Sequence, residues 1–348
     1  MDKKWVVGAS PHIASGESTS RIMWQVVAAL IPAGIWAVIQ FGPQALRVIG
    51  LCVVACVVCE AVIQKFRGRP VTVCDGSAVV TGLLLAYVLP AQVVVEGKLQ
   101  PMPWFVPVVG SIVAIGVAKH AFGGLGNNIW NPALVGRAFV QVSWAKYVSL
   151  SQWAVPRYSG EGLVDSTTAA TVKGMVDGTT AATALYAKTA SYSTADLFLG
   201  RIPGSMGEIS ALLLLVGGIY LIARRYVDWR LPACFFVAVA ALSVVLPVKE
   251  GAAWMHTVNS PLDHLFAGGV MIGALFMASD MVTSPLTGRG QAIFGLGCGI
   301  LTVLIRFYTG YPEGVCYAIL LMNTARPLID RHTRPSVFGA KTRAQSSA

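Results

Sequence analysis

The sequence predicts an all-α polytopic membrane protein of about ten transmembrane helices, arranged as two inverted five-helix repeats with an extracytoplasmic loop between them. Three observations lead there. The chain of 348 residues is 55% hydrophobic and only 12% charged, with mean hydropathy +0.65, whereas soluble domains carry roughly 25% charged residues. Apolar runs recur through both halves at the length a bilayer crossing requires. A polar stretch near the middle leaves an odd number of runs on each side, so the halves enter the membrane with opposite polarity.

Taken in order, the runs Ile22 to Phe41 and Ala45 to Gln64 each approach the roughly 20 residues of a full crossing. The third, Ser77 to Leu89, is short, begins after Asp75-Gly76 and stops at Pro90. The fourth runs from Trp104 to Lys119, and the fifth from Ile129 to Tyr147, interrupted by Asn131-Pro132, Gly136, Arg137 and Gln141. The second half supplies Ile209 to Ala223, Leu231 to Val248, a second short run from Leu265 to Ala278 closed by Asp280, then Ala292 to Arg306 and Val315 to Ile329. The organisation is therefore a membrane half at 1–147, a loop at 148–208, a second half at 209–330 and a basic tail at 331–348. The short third and eighth runs occupy corresponding places, and each begins near an aspartate, Asp75 or Asp263. Such a matched pair points to a binding site between the repeats.

The formal charge of +10 is spread over short connections and forms no stripe, which argues against a nucleic-acid partner and for membrane orientation. With the N-terminus cytoplasmic, most Lys and Arg fall inside, Lys119 among them, while Arg306 counts outside. Both termini are expected in the cytoplasm of a cell whose inner, or plasma, membrane holds the protein. No apolar core follows Lys3 and Lys4 before Met23, so no cleaved signal peptide is expected. Seven cysteines lie in or beside apolar runs; Cys52, Cys56 and Cys59 share a helical face, where packing explains them more simply than cluster ligation.

Three stretches carry chemistry. Asp177-Gly178-Thr179-Thr180-Ala181-Ala182-Thr183-Ala184 is polar and displayed, with a near-copy ending at Thr171; turn formation is its ordinary reading, and an open hydroxyl can accept a phosphate ester. Gly123-Gly124-Leu125-Gly126-Asn127-Asn128-Ile129-Trp130-Asn131-Pro132 offers flexible glycines and amides that suit the edge of a flat ligand, or a tight turn between helices. It lacks the spacing of a dinucleotide fingerprint. Finally, Glu60, Asp75, Arg137, Asp263, Asp280 and Glu313 place charge at or near membrane depth, which is expensive and marks candidates for an ion path or an internal pair. Arg137 would pair with Glu60 or Asp75, or offset charge on a cofactor.

Together with Ser10-Pro11-His12, Asp75-Gly76-Ser77-Ala78, Thr81-Gly82-Leu83-Leu84-Leu85, Pro312-Glu313-Gly314-Val315 and Leu320-Leu321-Met322-Asn323, the glycine-asparagine turn resembles the D subunits of Rnf ion-translocating electron-transport complexes. These are related to the B subunit of the sodium-pumping NADH:quinone reductase, whose longer N-terminal region this chain does not share. The resemblance implies FMN joined through its phosphate to a threonine in a motif like Asp-x-x-Ser/Thr-x-Ala-Thr. Asp177, Thr180, Ala182 and Thr183 match that motif, with Ala184 where proline is frequent. The copy ending at Thr171 also fits, but Val172-Lys173 follows it, and the ending favours Thr183. A second, noncovalent flavin, riboflavin or FMN, is implied among the helices, with Asn128, Asn131, Gly124 and Gly126 as contacts. Implied too are a ferredoxin:NAD+ oxidoreductase activity belonging to the whole assembly, Na+ or H+ translocation, the A, B, C, E and G subunits of the Rnf complex as partners, and a flavin transferase. A channel or secondary transporter without redox chemistry, and a scaffold protein, are the competing readings.

Overall fold

The computed structural model describes residues 17–95, 98–148, 158–159, 162–163, 194–200, 204–207, 210–246, 261–266, 268–308 and 314–334. Within them the chain is helical, with two small antiparallel hairpins, Gln92–Val95 with Lys98–Pro101 and Tyr158–Ser159 with Gly162–Leu163. In the first half, α1 (Thr19–Phe41), α2 (Pro43–Phe66), α3 (Ser77–Tyr87), α4 (Phe105–Val113, continued as a π-helix over Ala114–His120) and α5 (Pro132–Ser143) fall on the predicted runs. Two short helices follow, α6 (Ala145–Val148) and α7 (Thr194–Leu199). The second half has α8 (Ala211–Ala223), α9 (Arg230–Val245), α10 (Pro261–Phe266), α11 (Val270–Ile272, continued as a π-helix over Gly273–Met277), α12 (Gly288–Tyr308) and α13 (Val315–His332). Among the described residues three helices, α1, α2 and Gly288–Arg306 of α12, are long and apolar enough to cross a membrane.

Two runs differ in detail from expectation. The fifth breaks at Trp144 into α5 and α6, and Asn131-Pro132 is the start of α5 rather than an interruption, with Asn131 as its N-cap. The eighth divides into α10 and α11 around Gly268, whose φ of 64° suits glycine. Asp263 falls in α10.

Packing follows small residues. On α2 the face Ala45, Val48, Cys52, Cys56, Glu60 and Gln64 is buried at three- and four-residue spacing, while Leu46, Val54, Val58 and Val62 point outward as a lipid-type surface. Cys52 and Cys56 are free thiols buried within that face. Gly82 lets α3 lie directly on α2; a Cβ there would stand 2.7 Å from the Val53 Cα. Gly295 and Gly299 of α12, one turn apart, press on the Leu231 and Phe235 carbonyls of α9, the close approach that small residues allow between membrane helices.

Helices of the two halves meet along a seam. The first helices, α1 and α8, touch where Gly217 lies on the Ala29 carbonyl, and the fifth, α5 and α13, where the Cys316 thiol reaches the Leu134 carbonyl at 3.5 Å. At one end of the molecule gather Glu17, Cys74, His120, Gly123, Tyr226 and Val282, tied by Tyr226 to Glu17, Arg67 to the His120 carbonyl, Arg69 to the Gly123 carbonyl and Arg326 to the Val282 carbonyl. Toward the other end, Met206 and Gly207 donate to the Leu89 and Tyr87 carbonyls, which sets the described residues just ahead of α8 against the C-terminal end of α3.

Candidate functional site

The first end of the seam holds a cleft whose empty space, open mouth included, is about 760 Å³. Its walls are apolar: Met23 and Val26 of α1, Val80 and Leu84 of α3, Leu221 of α8 and Phe276 of α11. Its polar groups come from both halves, with Asn128 and Asn131 on one side, Ser279 and Asp280 on the other, and Lys119 and Ser77 at the edge. A predominantly apolar slot with a few convergent polar groups is the usual form of a small-molecule site.

Why these residues converge follows from the local sequence. Gly123, Gly124 and Gly126 adopt φ of 125°, 103° and 91°, so the turn after α4 doubles back tightly, and it presents Leu125 and Asn128 to the cleft. Gly124 and Gly126 shape that turn without lining the cleft. Asn131 accepts from the Ala133 and Leu134 amides, capping α5, and donates across the seam to the Met277 carbonyl at 3.1 Å. Its amide is thus engaged by the fold, while Asn128 donates to the Trp130 carbonyl and keeps its side-chain carbonyl for other partners. Asp280, in the turn beyond α11, accepts from Thr283 at 3.1 Å and from the Val282 amide at 3.4 Å. Burial pushes its carboxyl above the usual carboxylate range, with the two hydrogen bonds, Arg326 and Lys119 pulling back.

Beside the cleft lies a buried ion pair. Lys119 Nζ stands 2.8 Å from both Glu60 oxygens and donates to Ser77 Oγ at 2.7 Å, with the two side chains only 2% and 1% exposed. The pair is extended on both sides. Gln64 donates to Glu60 at 3.3 Å and to Thr72 at 2.9 Å, His120 Nε2 stands 3.6 Å from Glu60, and Asp75 accepts from the Ser77 amide and hydroxyl at 2.8 and 2.7 Å. Asp75 is thereby the N-terminal anchor of α3, joined to Glu60 only through Ser77 and Lys119.

Arg137 pairs with neither Glu60 nor Asp75. It is buried on α5 and donates to the Val88 carbonyl at the C-terminal end of α3, where an unsatisfied carbonyl and the negative end of the helix dipole favour a cation. Glu60 is held by Lys119 instead. Lys119, expected in a cytoplasmic connection, is one of the most deeply buried side chains, and Arg306, expected outside, is buried with its guanidinium donating to the His264 carbonyl at 2.8 Å. Both sit near the C-terminal end of the fourth helix of their half. A charge at a run's end looks like a loop charge in sequence; the available signal was Glu60, whose position in a buried stripe demanded a cation. Asp177, Gly178, Thr180, Ala182, Thr183, Thr171 and Glu313 lie outside the described residues.

Residues 6–339 match the NQR2, RnfD, RnfE family. The chain belongs to that family. The D subunit of the proton-translocating ferredoxin:NAD(+) oxidoreductase complex of Clostridium ljungdahlii is 43% identical, over 97% of each chain. The D subunit of the Na(+)-translocating ferredoxin:NAD(+) oxidoreductase complex of Acetobacterium woodii is 42% identical, over 96% of this chain and 95% of its own. The D subunit of an ion-translocating oxidoreductase complex of Stutzerimonas stutzeri is 35% identical, over 94% of each. Each of these matches covers at least 94% of this chain, with relatives named for either ion.

Proposed function

We propose that this chain is the D subunit of a multisubunit, ion-translocating electron-transport complex of the ferredoxin:NAD+ oxidoreductase type, and that it carries electrons through covalently bound FMN and couples them to Na+ or H+ movement. It acts as one part of that translocase and is not catalytic alone. The observation that carries the reading is the cleft at the seam, where both halves place polar groups around an apolar slot, within a chain that matches its family from residue 6 to 339.

In this reading about ten helices cross the cell's inner membrane as two inverted repeats. The meeting of α1 with α8 and of α5 with α13 supports it, as does the gathering at one end of the run ends expected on the cytoplasmic side. The loop 148–208 then lies at the opposite face, and Thr183, within Asp177, Gly178, Thr180 and Ala182, holds the FMN phosphate there, placed by a flavin transferase. FMN supplies one- and two-electron transfer when bound.

The apolar walls at Val80, Leu84 and Phe276 and the Asn128 amide support a second, noncovalent flavin, riboflavin or FMN, bound in the cleft. Asn131 holds the seam at the cleft's floor. Asp75 orients Ser77, Glu60 and Lys119 hold compensating charge beside the slot, and Arg137 fixes the far end of α3. The A, B, C, E and G subunits supply NADH and iron-sulfur chemistry.

In a gel, the protein made with its flavin transferase should fluoresce under ultraviolet light, and Thr183→Val should abolish the signal. A dark band from the unmutated chain would leave solute flux through a channel as the better reading.

A further inference from the structure

Lys119 faces two ways. It lines the cleft, and its ammonium holds both oxygens of the Glu60 carboxylate at 2.8 Å. Glu60 has a second approach through Gln64, whose amide bonds the exposed Thr72 at 2.9 Å. Lys119 also belongs to the π-helical stretch Ala114–His120, and the facing wall of the cleft carries the other π-helix, Gly273–Met277. Such widened turns concentrate at functional sites. The charged and titratable groups around the pair are Cys56 and Cys59 on α2 with Glu60, His120 on the helix of Lys119, Asp75 ahead of α3, Arg67 at the end of α2 and Asp280 across the cleft.

A buried carboxylate holds one cation well and two poorly. With the ammonium on both oxygens, a mobile cation arriving past Gln64 finds the carboxylate neutralised; with the ammonium drawn away, it finds an uncompensated charge in an apolar setting. Negative charge placed in the cleft attracts the flexible lysine stem and weakens its hold on Glu60.

We infer that Lys119 is a tethered counter-cation that blocks Glu60 and releases it when the cleft's occupant becomes negatively charged, so that a monovalent cation takes its place. Lys119 is a positioning residue acting through Glu60. The inference rests on the ion-translocating reading above and adds to it the group that gates the ion.

The test uses the whole purified complex in liposomes. Dicyclohexylcarbodiimide, which modifies accessible protonated carboxyl groups, is applied without Na+ to the oxidised complex and to the complex reduced electrochemically through methyl viologen, and Glu60 is followed by peptide mapping. Labelling should rise several-fold on reduction, and Lys119→Met should label equally strongly in both states. Added Na+ should suppress that labelling if Na+ is the cation; suppression by alkaline pH alone identifies the proton. In turnover, Lys119→Met should lower the half-saturating concentration of that cation by roughly tenfold, the scale of one charged hydrogen bond. A lysine with a merely structural role would leave Glu60 labelled equally in the oxidised and the reduced wild-type complex, whatever Lys119→Met does.

Should Lys119→Met fail to assemble, the oxidised-against-reduced comparison in wild type stands by itself. Equal labelling in the two states, with ion transport intact, overturns the inference and leaves the functional reading standing. A chain that carries no flavin overturns the functional reading, while Lys119→Met labelling still reports whether Lys119 masks Glu60.

Discussion

Removing one member of the Glu60 and Lys119 pair should cost far more than removing both. Each side chain is almost wholly buried, and the ammonium spans both carboxylate oxygens at 2.8 Å, so neither has water to fall back on. Breaking a buried pair from one side costs about 3–5 kcal/mol, because the surviving charge is left uncompensated, whereas replacing both by apolar or neutral groups of similar volume is often neutral. Glu60→Gln leaves an ammonium whose remaining bond is to Ser77; Lys119→Met leaves a carboxylate facing Gln64 and the His120 imidazole at 3.6 Å, whose loss is reduced by whatever Glu60 regains on protonation or from that ring. The double variant should recover most of the loss, giving a coupling of about 2 kcal/mol or more, at the upper end for residues in direct contact. Unfolding of the detergent-solubilised protein, followed by loss of helical signal or by cysteine accessibility, provides the four stabilities needed. Strict additivity of the two single losses would refute the pairing.

Three further outcomes follow from the same geometry. Asp280→Asn should stabilise the protein at about pH 8 and not at about pH 4: a carboxyl raised by burial carries no penalty while both states are protonated, and its penalty enters as pH rises through the unfolded value and is complete above the folded one. An equal change in unfolding midpoint at both pH values would contradict this. Gly299→Val should cost roughly 1–3 kcal/mol, since a Cβ there meets the Phe235 carbonyl at 2.8 Å, and thermal unfolding would register the separation of α9 and α12. Asn131→Ala should cost about 1–3 kcal/mol by removing the α5 cap and leaving the Met277 carbonyl unpaired; cysteine cross-linking between α5 and α11 should then fall, and unchanged cross-linking would argue against the strap.

Much of the fold was legible because hydropathy and helix punctuation are local. The runs beginning at Ile22, Ala45, Ser77 and Trp104 needed only apolar length, with Asp75-Gly76 ahead of the third and Pro90 closing it, to be placed. Asn131-Pro132 was misread as an interruption since a polar residue before proline looks the same inside a run as at a helix start; the cap geometry decides it. At the site, Asn128, Asn131 and Asp280 were singled out from different halves, and the fold brings them to one cleft. What escaped was pairing. Lys119 at the end of α4 meets Glu60 and Ser77 only through packing of three helices distant in sequence, and Arg137, equally buried, serves a helix terminus that no periodicity announces.

The central claim is that the loop between the membrane halves carries a covalently held electron carrier. Intact-mass measurement of the chain isolated from its native host, followed by peptide mapping, tests it most directly. The account predicts a mass increased by one esterified FMN, located on the peptide containing Thr183 and absent from the one ending at Thr171. A chain recovered at the mass of its bare sequence would contradict it.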